Sequence, residues 1–387
     1  MSGPAPKPGD GAEDASLVPL ELLSEDSSVP SDVASQHRDA TAAGWWRGRR
    51  VGRWLRRWRV PQDRRLVGPV LAALVVLSLP WWVGSYGAEL LVELAVVAVL
   101  AQWWSLLAGA AGVISLSGAF HAGTGAYAWL LLVRYAGVPP VVAVMGAALV
   151  SAAVAAPAAW ALRRLPAPWA AVGGLVLAAA GSAMVTAIDG SAERGRTVRA
   201  AATLGPLLRR SATIWLGALL VVATVLVAAA FLRSEAGLAV RAARDDEEAA
   251  VALGLKPGMP ILALWIAGAA ATGAAAGLVH LSSGVVAVGE AFDPLRWVLV
   301  PVLAALLGGS GMVGGPMLGA VAVVAAERLL GTAGGLVAVS LSASWLLLGR
   351  ADGLAGLVVP WVRELLWGQD ATVREPPGSS TGSTGRR

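Results

Sequence analysis

Ten apolar runs separated by short polar stretches occupy residues 66 to 350, and this pattern predicts a helical membrane protein. A helix needs about 20 apolar residues to cross the hydrocarbon core of a bilayer, and most of the runs approach that length. The runs are 66–83, 88–107, 113–133, 139–162, 169–188, 211–232, 260–281, 295–307, 312–326 and 336–348. Several contain Gly or Pro, and the shortest, such as 295–307 and 336–348, fall short of a full crossing, which is tolerated where irregular backbone lies against protein or a watery cavity. We therefore predict an all-α integral membrane protein with about ten transmembrane helices and broken or re-entrant Gly-rich segments.

Composition removes most enzymatic chemistry from consideration. Of the 387 residues, 56% are apolar and 14% are charged, whereas soluble domains carry about 25% charge. The chain has no Cys, which excludes disulfides and thiolate chemistry, and its three His (His37, His121 and His280) argue against a metal cluster. Neither Lys7 nor Lys256 belongs to a G-x-x-x-x-G-K-[ST] phosphate loop. We expect no cofactor, no enzymatic activity and no binding of ATP by this chain alone.

The two ends of the chain differ from its apolar middle. Residues 1–44 are rich in Pro, Ser, Asp and Glu, which predicts a disordered acidic tail. Residues 45–65 interleave Arg with Trp, as in an interfacial segment on anionic lipid. A nucleic-acid-binding arm is the competing interpretation, but the segment directly precedes the first apolar run, so we expect membrane lipid and no nucleic acid. The transmembrane domain is predicted at 66–350, followed at 351–387 by an interfacial helix and a flexible tail.

The distribution of Arg predicts an orientation in the membrane. If the basic segment 45–65 lies inside and the runs alternate, then Arg163, Arg164, the loop 233–258 and Arg350 all lie inside as well. Positive charge is expected on the cytoplasmic side, so this arrangement is self-consistent, although the Arg-containing loop between the fifth and sixth runs falls outside. We predict a multi-pass protein of the plasma membrane with both termini in the cytoplasm.

One polar loop interrupts the apolar region, with the sequence R-S-E-A-G-L-A-V-R-A-A-R-D-D-E-E-A-A-V-A-L-G-L from Arg233 to Leu255. Good helix formers predict a helix over 238–253, and Gly254 is placed to end it. Arg–Asp and Arg–Glu pairs four residues apart, from Arg241 to Asp245 and from Arg244 to Glu248, would share a helix face. The loop is interpreted as a surface helix offered to a partner or as an ordinary cytoplasmic loop.

Two Gly-rich stretches lie inside the apolar region. The first, G-V-I-S-L-S-G-A-F-H-A-G-T-G-A-Y at 112–127, predicts either close helix packing or an unwound segment that lines a pathway. The candidate translocation-pathway residues are Ser115, Ser117, Gly118, His121, Gly123, Gly125 and Tyr127. The second, G-G-S-G-M-V-G-G-P-M-L-G-A at 308–320, predicts a tight re-entrant turn or a helix crossing.

These three stretches, in this order, resemble the branched-chain amino-acid ABC transporter permease family. The polar loop looks like that family's cytoplasmic loop, R-S-x-x-G-x-x-x-R-A-x-R-x-x-E-x-A-A-x-A-L-G. The stretch 112–127 is similar to G-x-x-S-L-G-x-A-x-x-x-G-x-G-A-Y, and the stretch 308–320 to G-G-x-G-x-x-x-G-P-x-x-G-A. Ser117 stands where the family carries Gly, and Gly118 where a polar residue is common. The solute could therefore be a branched-chain amino acid or a related small polar solute, such as another amino acid, urea or a short amide.

The resemblance implies a subunit of an ATP-binding cassette importer that has no ATPase activity of its own. Its implied partners are a second permease subunit, two ABC ATPase subunits and an extracytoplasmic substrate-binding protein. The resemblance also implies a coupling helix that passes nucleotide-driven movement to the spans. The coupling residues would be Gly237, Arg241, Arg244, Glu248, Ala249, Ala250 and Gly254.

A rival hypothesis rests on ionisable residues within the apolar runs. Glu89 and Glu93 are four residues apart and share a helix face, and intramembrane carboxylates often serve proton relays. Both are also close enough to the start of their run to reach the membrane interface. With His121 and His280 they would form an ion- or proton-coupled secondary transporter or channel. A degenerate permease kept as an assembly or regulatory subunit is the third possibility.

Overall fold

The computed structural model describes most of the transmembrane domain, and almost all of it is helical. The described residues are 67–188, 196–197, 205–311, 313–347 and 354. The predicted segments 1–44 and 45–65, and all of 351–387 except Leu354, lie outside the described residues.

The described residues form thirteen α-helices. They are α1 Val67–Trp82, α2 Ser85–Ser105, α3 Gly118–Arg134, α4 Pro140–Leu162, α5 Ala167–Ile188, α6 Pro206–Leu232, α7 Glu235–Asp245, α8 Glu247–Ala252, α9 Gly258–Ser283, α10 Val288–Ala291, α11 Val300–Gly308, α12 Gly315–Leu330 and α13 Thr332–Leu347. Two five-residue π-helical turns, Leu106–Ala110 and Leu295–Leu299, continue α2 and precede α11. Two short strands, β1 Arg196–Thr197 and β2 Val285–Val286, pair antiparallel.

Each of the ten predicted apolar runs overlaps a helix, which confirms the all-α membrane architecture. Among the described residues, six helical segments are long and apolar enough to cross a membrane. They are Ser85–Ala110, Pro140–Leu162, Pro168–Ile188, Pro206–Leu232, Gly258–Ser283 and Val288–Gly308. The helices α1, α3, α12 and α13 have 16 or 17 residues. The prediction of about ten full spans is therefore not confirmed.

Helix α9 forms the centre of the bundle and packs against α2, α3, α4 and α6. Small residues permit this, because membrane helices approach most closely where neither backbone carries a bulky side chain. A Cβ atom at Gly125 of α3 would lie 2.5 Å from the Cα atom of Gly273, and one at Gly273 would lie 2.5 Å from the Cβ atom of Ser151 in α4. Three helices thus meet around Gly273.

The second Gly-rich stretch joins α11 to α12 in a tight hairpin. Gly309, Gly311 and Gly314 adopt left-handed φ values of 106°, 83° and 93°, which side chains with a Cβ rarely accept. A Cβ atom at Gly319 would collide with the carbonyl oxygen of Ala304 and lie 2.7 Å from the amide nitrogen of Gly308. The stretch therefore forms both the tight turn and the close helix crossing that the sequence offered as alternatives.

Candidate translocation pathway and coupling segment

The chain unwinds between α2 and α3. After the π-helical turn Leu106–Ala110, residues 112–117 have no regular secondary structure, and α3 begins at Gly118. Gly112 enters this segment with φ +69°. Close packing is found further along the stretch, in α3, because a Cβ atom at Gly123 would collide with the ring of Phe292. The first half of the stretch is thus unwound and the second half is a packed helix.

Ser117 connects the unwound segment to its surroundings through three side-chain hydrogen bonds. Its Oγ atom lies 2.8 Å from Ser115 Oγ and 3.1 Å from His121 Nε2. The indole Nε1–H of Trp265 in α9 donates to the same oxygen over 3.3 Å. Ser117 is 1% exposed, Trp265 2% and His121 4%, so the whole network is removed from bulk solvent.

A narrow cavity of about 50 Å³ lies beside this network. Its lining residues are Leu100, Trp103, Trp104, Leu107, Ser115, Ser117, Gly118, His121, Trp265, Gly268, Ala269, Thr272, Trp297, Val298 and Pro301. Pockets for organic ligands usually measure about 300–1,000 Å³, so this one is closed to a solute in the present conformation. Four of the described lining residues are Trp, and none of them carries a charged side chain.

Three nitrogen atoms in this lining have no hydrogen-bond partner within the described part of the chain. They are Trp103 Nε1, Trp104 Nε1 and His121 Nδ1. A buried donor that stays unpaired costs about 1–3 kcal/mol. These nitrogens have almost no accessible surface, so they are buried in the packing around the cavity.

A larger cleft of about 510 Å³ lies on the side of α7 and α8. Its lining residues are Ala111, Gly112, Val113, Arg163, Arg164, Leu165, Ala170, Ala243, Arg244, Glu247, Pro257, Gly258, Ile261 and Trp265. Three Arg and one Glu give it a basic character. Trp265 is the one described residue that lines both the cleft and the narrow cavity.

The polar loop forms two short helices rather than the single helix predicted over 238–253. Asp246 adopts extended angles (φ −156°, ψ 106°) between α7 and α8. Its Oδ1 atom accepts from the Ala249 amide at 2.9 Å, just as Ser234 Oγ accepts from the Gly237 amide at 3.1 Å to cap α7. The prediction was wrong because a capping Asp competes with the helix interior for local backbone bonds. Gly254, with φ +80°, follows the end of α8 as expected.

The two predicted ion pairs of this loop are also absent from the described residues. Arg241 donates instead to the carbonyl oxygens of Gly237 (3.3 Å) and Leu232 (3.0 Å), which fastens α7 to the end of α6. Arg244 pairs with Asp245, with Nη2 and Oδ1 3.1 Å apart. The break at Asp246 moves Glu248 onto a different helix and so prevents its pairing with Arg244.

Arg244 also joins the polar loop Arg233–Leu255, hereafter the candidate coupling segment or coupling segment, to the unwound segment 112–117. Its guanidinium donates to the carbonyl oxygen of Gly109 in the π-helical turn. A Cβ atom at Gly112 would lie 2.7 Å from Arg244 Cγ, so the side chain lies directly on the start of the unwound segment. This contact connects two stretches that are far apart in the sequence.

The other residues predicted for coupling and for the pathway lie in different environments. In the coupling segment, Glu248 and Ala249 are exposed, whereas Ala250 is buried. In α3, Tyr127 stacks on Phe292 with ring centroids 6.1 Å apart and is absent from the cavity lining, as are the packing residues Gly123 and Gly125. Of the predicted pathway residues, the cavity is lined by Ser115, Ser117, Gly118 and His121.

Sequence reasoning missed the Trp residues of the cavity. Trp103, Trp104, Trp265 and Trp297 come from three separate apolar runs. Each lies near the end of its run, where Trp is ordinary because it favours the membrane interface. The sequence therefore held no signal that distinguished them.

The ionisable residues of the rival hypothesis are not brought together. Glu89 is exposed, and Glu93 of α2 forms an ion pair with Arg328 of α12, with Nε and Oε2 3.1 Å apart. His280 is buried near the end of α9, where its Nδ1 lies 2.7 Å from the Val285 carbonyl oxygen. Among these residues only His121 lines the narrow cavity.

We expect the Glu93–Arg328 pair to support the contact between α2 and α12. Glu93→Arg should lower the midpoint of thermal unfolding by a few degrees, because it places two cations together between these helices. The double variant Glu93→Arg/Arg328→Glu should recover at least half of that loss. The measurement is thermal unfolding of the purified protein in detergent.

The exposed Glu89 provides the matched control for this charge swap. Glu89→Arg makes the same change four residues earlier on the same helix and should leave the midpoint within about a degree. Equal losses from Glu89→Arg and Glu93→Arg, or no recovery in the double variant, would show that the pair is not a structural contact.

The comparisons with known proteins give the family of this chain. No curated protein and no solved structure matches it. A family model described as the permease component of the branched-chain amino acid transport system matches residues 87–351, more than half of the 387-residue chain. This range includes the unwound segment, the coupling segment and the Gly-rich hairpin. The chain therefore belongs to the family of branched-chain amino acid transport permease components and is a multi-pass membrane transport protein.

Proposed function

We propose that this chain is the transmembrane subunit of an ATP-binding cassette importer in the plasma membrane, for branched-chain amino acids or a related small polar solute. A second permease subunit completes the membrane pathway, and two ATPase subunits hydrolyse ATP on the cytoplasmic side. An extracytoplasmic binding protein delivers the solute. The observation that carries the proposal is the contact of Arg244 with Gly109 and Gly112. It joins a surface helix pair to the start of the unwound segment, whose Ser115 and Ser117 line the narrow cavity.

The coupling segment has the features needed to transmit movement. Its exposed end, with Glu248 and Ala249 on α8, is free to contact an ATPase subunit. Its other end is held, because Arg241 bonds to the end of α6, and a Cβ atom at Gly237 would collide with the carbonyl oxygen of Phe231. A push on α8 therefore reaches both α6 and, through Arg244, the unwound segment.

The pathway runs through the narrow cavity, past Trp265 and into the Arg-lined cleft. The cleft, at about 510 Å³, is large enough for an amino acid, whereas the cavity, at about 50 Å³, is not. The present conformation is thus closed at the cavity. Movement of residues 112–117 would shift Ser117, to which the Trp265 indole is bonded, and so would change the boundary between the two spaces.

The geometry favours this importer over a proton-coupled carrier. The narrow cavity has no carboxylate among its described lining residues, and Glu93 is already paired with Arg328. A proton relay needs titratable groups in reach of the solute. His121 alone, bonded to Ser117, does not provide that series.

We expect Glu248→Arg to uncouple ATP hydrolysis from transport. The substitution reverses the charge on the exposed face of α8 that contacts the ATPase, so solute-stimulated ATPase activity and uptake should both fall about tenfold. The measurement uses the full importer, purified with its binding protein and reconstituted in proteoliposomes. Copurification of the ATPase subunits reports whether the complex still assembles.

Glu290→Arg is the matched control for this variant. Glu290 is also exposed and lies on α10. Helix α10 follows the C-terminal end of the 26-residue helix α9, whereas the coupling segment precedes the N-terminal end of α9. The Glu290→Arg substitution should leave solute-stimulated ATPase activity unchanged. Normal coupling in Glu248→Arg, or uptake that survives ATP depletion in the unaltered protein, would overturn the proposed function.

A further inference from the structure

The Arg-lined cleft lies where two membrane spans meet the coupling segment. Arg163 and Arg164, which line it, connect the span Pro140–Leu162 to the span Pro168–Ile188. Arg244 of the coupling segment belongs to the same lining. The cleft therefore joins a turn at the end of two spans to a polar segment outside the spans.

Positive charge predominates in this cleft. Its described lining residues include three Arg and a single acid, Glu247. Pro257 and Gly258, where the 26-residue helix α9 begins, also line it. A long helix carries a partial positive charge at its N-terminus, so α9 adds to the field of the Arg side chains. The cleft therefore attracts an anion.

Arg163 and Arg164 are the cations of this lining that remain available to a ligand. Both are exposed, and neither side chain forms a hydrogen bond or an ion pair with the described residues, whereas Arg244 already pairs within the coupling segment. A Cβ atom at Gly258 would lie 3.5 Å from Arg163 Nη1, which places this guanidinium at the start of α9. The Arg164 guanidinium stacks on the Trp160 ring, 3.5 Å from the ring centroid. Stacking occupies one face of the guanidinium and leaves its N–H edges free to donate.

The two Arg lie at the depth of lipid headgroups. Trp160 and Trp169, which flank them in the sequence, are 45% and 66% exposed. Exposed Trp residues at the ends of adjacent spans mark the boundary between hydrocarbon and water. Leu165 lines the cleft and is 46% exposed, so apolar surface lies next to the Arg pair at the outside of the protein. This combination suits a ligand with an anionic head and a hydrocarbon chain.

We propose that the Arg-lined cleft binds the phosphate group of an anionic membrane phospholipid through Arg163 and Arg164, with hydrocarbon against Leu165. Guanidinium groups bind phosphate oxygens through paired N–H donors, and basic pockets between membrane helices on the cytoplasmic side hold such headgroups. The cytoplasmic position of the cleft rests on the proposed function, whereas the binding of phosphate by the two Arg does not. The bound lipid lies beside the coupling segment, whose Arg244 lines the same cleft.

This site is compatible with the passage of a solute. Arg163 and Arg164 are exposed at the outer side of the cleft, whereas Trp265 at its inner side is 2% exposed. A phosphate group fills only a small part of a cleft of about 510 Å³. Lipid and solute therefore occupy different parts of the same space.

The test compares three lipids with identical acyl chains on the permease purified with its ATPase subunits, and native mass spectrometry measures how much of each lipid is bound. Phosphatidylglycerol, whose phosphate charge is not neutralised, should bind. Phosphatidylcholine, whose cation is repelled by the Arg pair, should bind about fivefold more weakly. Diacylglycerol, which has no phosphate, should not bind. Excess inorganic phosphate should not displace phosphatidylglycerol, because it has no hydrocarbon chain.

Substitution of an exposed Arg locates the phosphate. Arg163→Gln removes one cation of the lining and should weaken the binding of phosphatidylglycerol about fivefold. Arg233→Gln is the matched control, because Arg233 is also exposed, at the end of α6, but does not line the cleft. It should leave the affinity for phosphatidylglycerol unchanged.

Substitution of the acid in the lining should have the opposite effect. Glu247→Gln removes the negative charge that opposes the phosphate and should strengthen the binding of phosphatidylglycerol about fivefold, a gain that a loss of folding cannot produce. Glu248→Gln makes the same change at the next residue, which is exposed and does not line the cleft, and should leave the affinity unchanged.

Three results would overturn the lipid site: equal binding of diacylglycerol and phosphatidylglycerol, displacement of phosphatidylglycerol by inorganic phosphate, or equal affinities in Arg163→Gln and Arg233→Gln. Each of these leaves the proposed function intact as long as the ATPase subunits copurify with the chain and Glu248→Arg uncouples them. Failure of the importer would instead be seen as absence of the ATPase subunits, with lipid still bound to the permease.

Discussion

Replacement of Trp265 by Ala should open a passage between the narrow cavity and the Arg-lined cleft. The Trp265 side chain is 2% exposed, lines both spaces and bonds to Ser117, so its removal joins them and frees the unwound segment. The chain contains no Cys, so a Ser115→Cys substitution would introduce a single thiol into the cavity. Labelling of this thiol by a membrane-impermeant reagent from the cleft side should accelerate at least tenfold in Trp265→Ala.

Two variants separate an opened passage from a general loosening of the fold. Trp265→Phe retains the ring and should label at nearly the original rate. Trp297→Ala removes an equally large buried side chain that lines the cavity but not the cleft. Either change to Ala is expected to cost about 3–5 kcal/mol, so the two should be equally destabilised. Equal labelling in Trp265→Ala and Trp297→Ala would refute the role of Trp265 as the partition.

The helices were predictable because they depend on short-range properties. A long apolar run must satisfy its backbone hydrogen bonds internally in a membrane, and a helix is the way a single run achieves this. The predicted run 139–162 therefore corresponds closely to α4, Pro140–Leu162. The run 113–133 lost its first five residues to the unwound segment, where Ser117 bonds to Ser115, His121 and Trp265.

The coupling segment shows where local propensity was insufficient. Good helix formers on both sides of Asp246 predicted one helix, but the Asp246 side chain bonds to the Ala249 amide and starts a new one. Arg244 was then expected to pair along the helix with Glu248. Instead it bonds to Gly109, 135 residues away in sequence, a contact that only the packed structure determines.

The cavity could be predicted only in part for the same reason. Ser115, Ser117 and His121 are close in sequence, and their clustering marked them as candidates. The Trp residues that complete the lining come from α2, α9 and the turn before α11. Their convergence depends on helix packing, which no feature of the separate runs reveals.

The Gly-rich hairpin between α11 and α12 contacts the end of α2 and the π-helical turn that follows it. The Gly311 amide donates to Ser105 Oγ at the end of α2 over 2.8 Å. A Cβ atom at Gly109 would lie 2.9 Å from the Gly311 Cα atom, closer than real Cβ contacts. Gly109 is thus placed between the hairpin and the guanidinium of Arg244. Loss of the hairpin should therefore disturb coupling as well as folding.

Gly319→Val should destabilise the protein severely. Its Cβ atom would collide with the carbonyl oxygen of Ala304, where two backbones are in contact and no flexible side chain can move away. Overpacking of this kind costs about 3 kcal/mol or more, which corresponds to a fall of roughly 4 °C or more in the unfolding midpoint of a chain this large. The measurement is thermal unfolding of the purified protein, together with the yield of folded protein from membranes.

Gly335→Val supplies the control, because a Cβ atom at Gly335 in α13 meets nothing within 4 Å. The midpoint of this variant should stay within about 2 °C of the original, since surface changes in a helix cost little.

Gly109→Ala tests the connection to coupling: its added methyl group meets the Gly311 backbone, so it should reduce solute-stimulated ATPase activity in the full importer. If Gly319→Val unfolds at the same temperature as Gly335→Val, then α11 and α12 do not cross at Gly319, and the hairpin cannot hold Gly109 against Arg244.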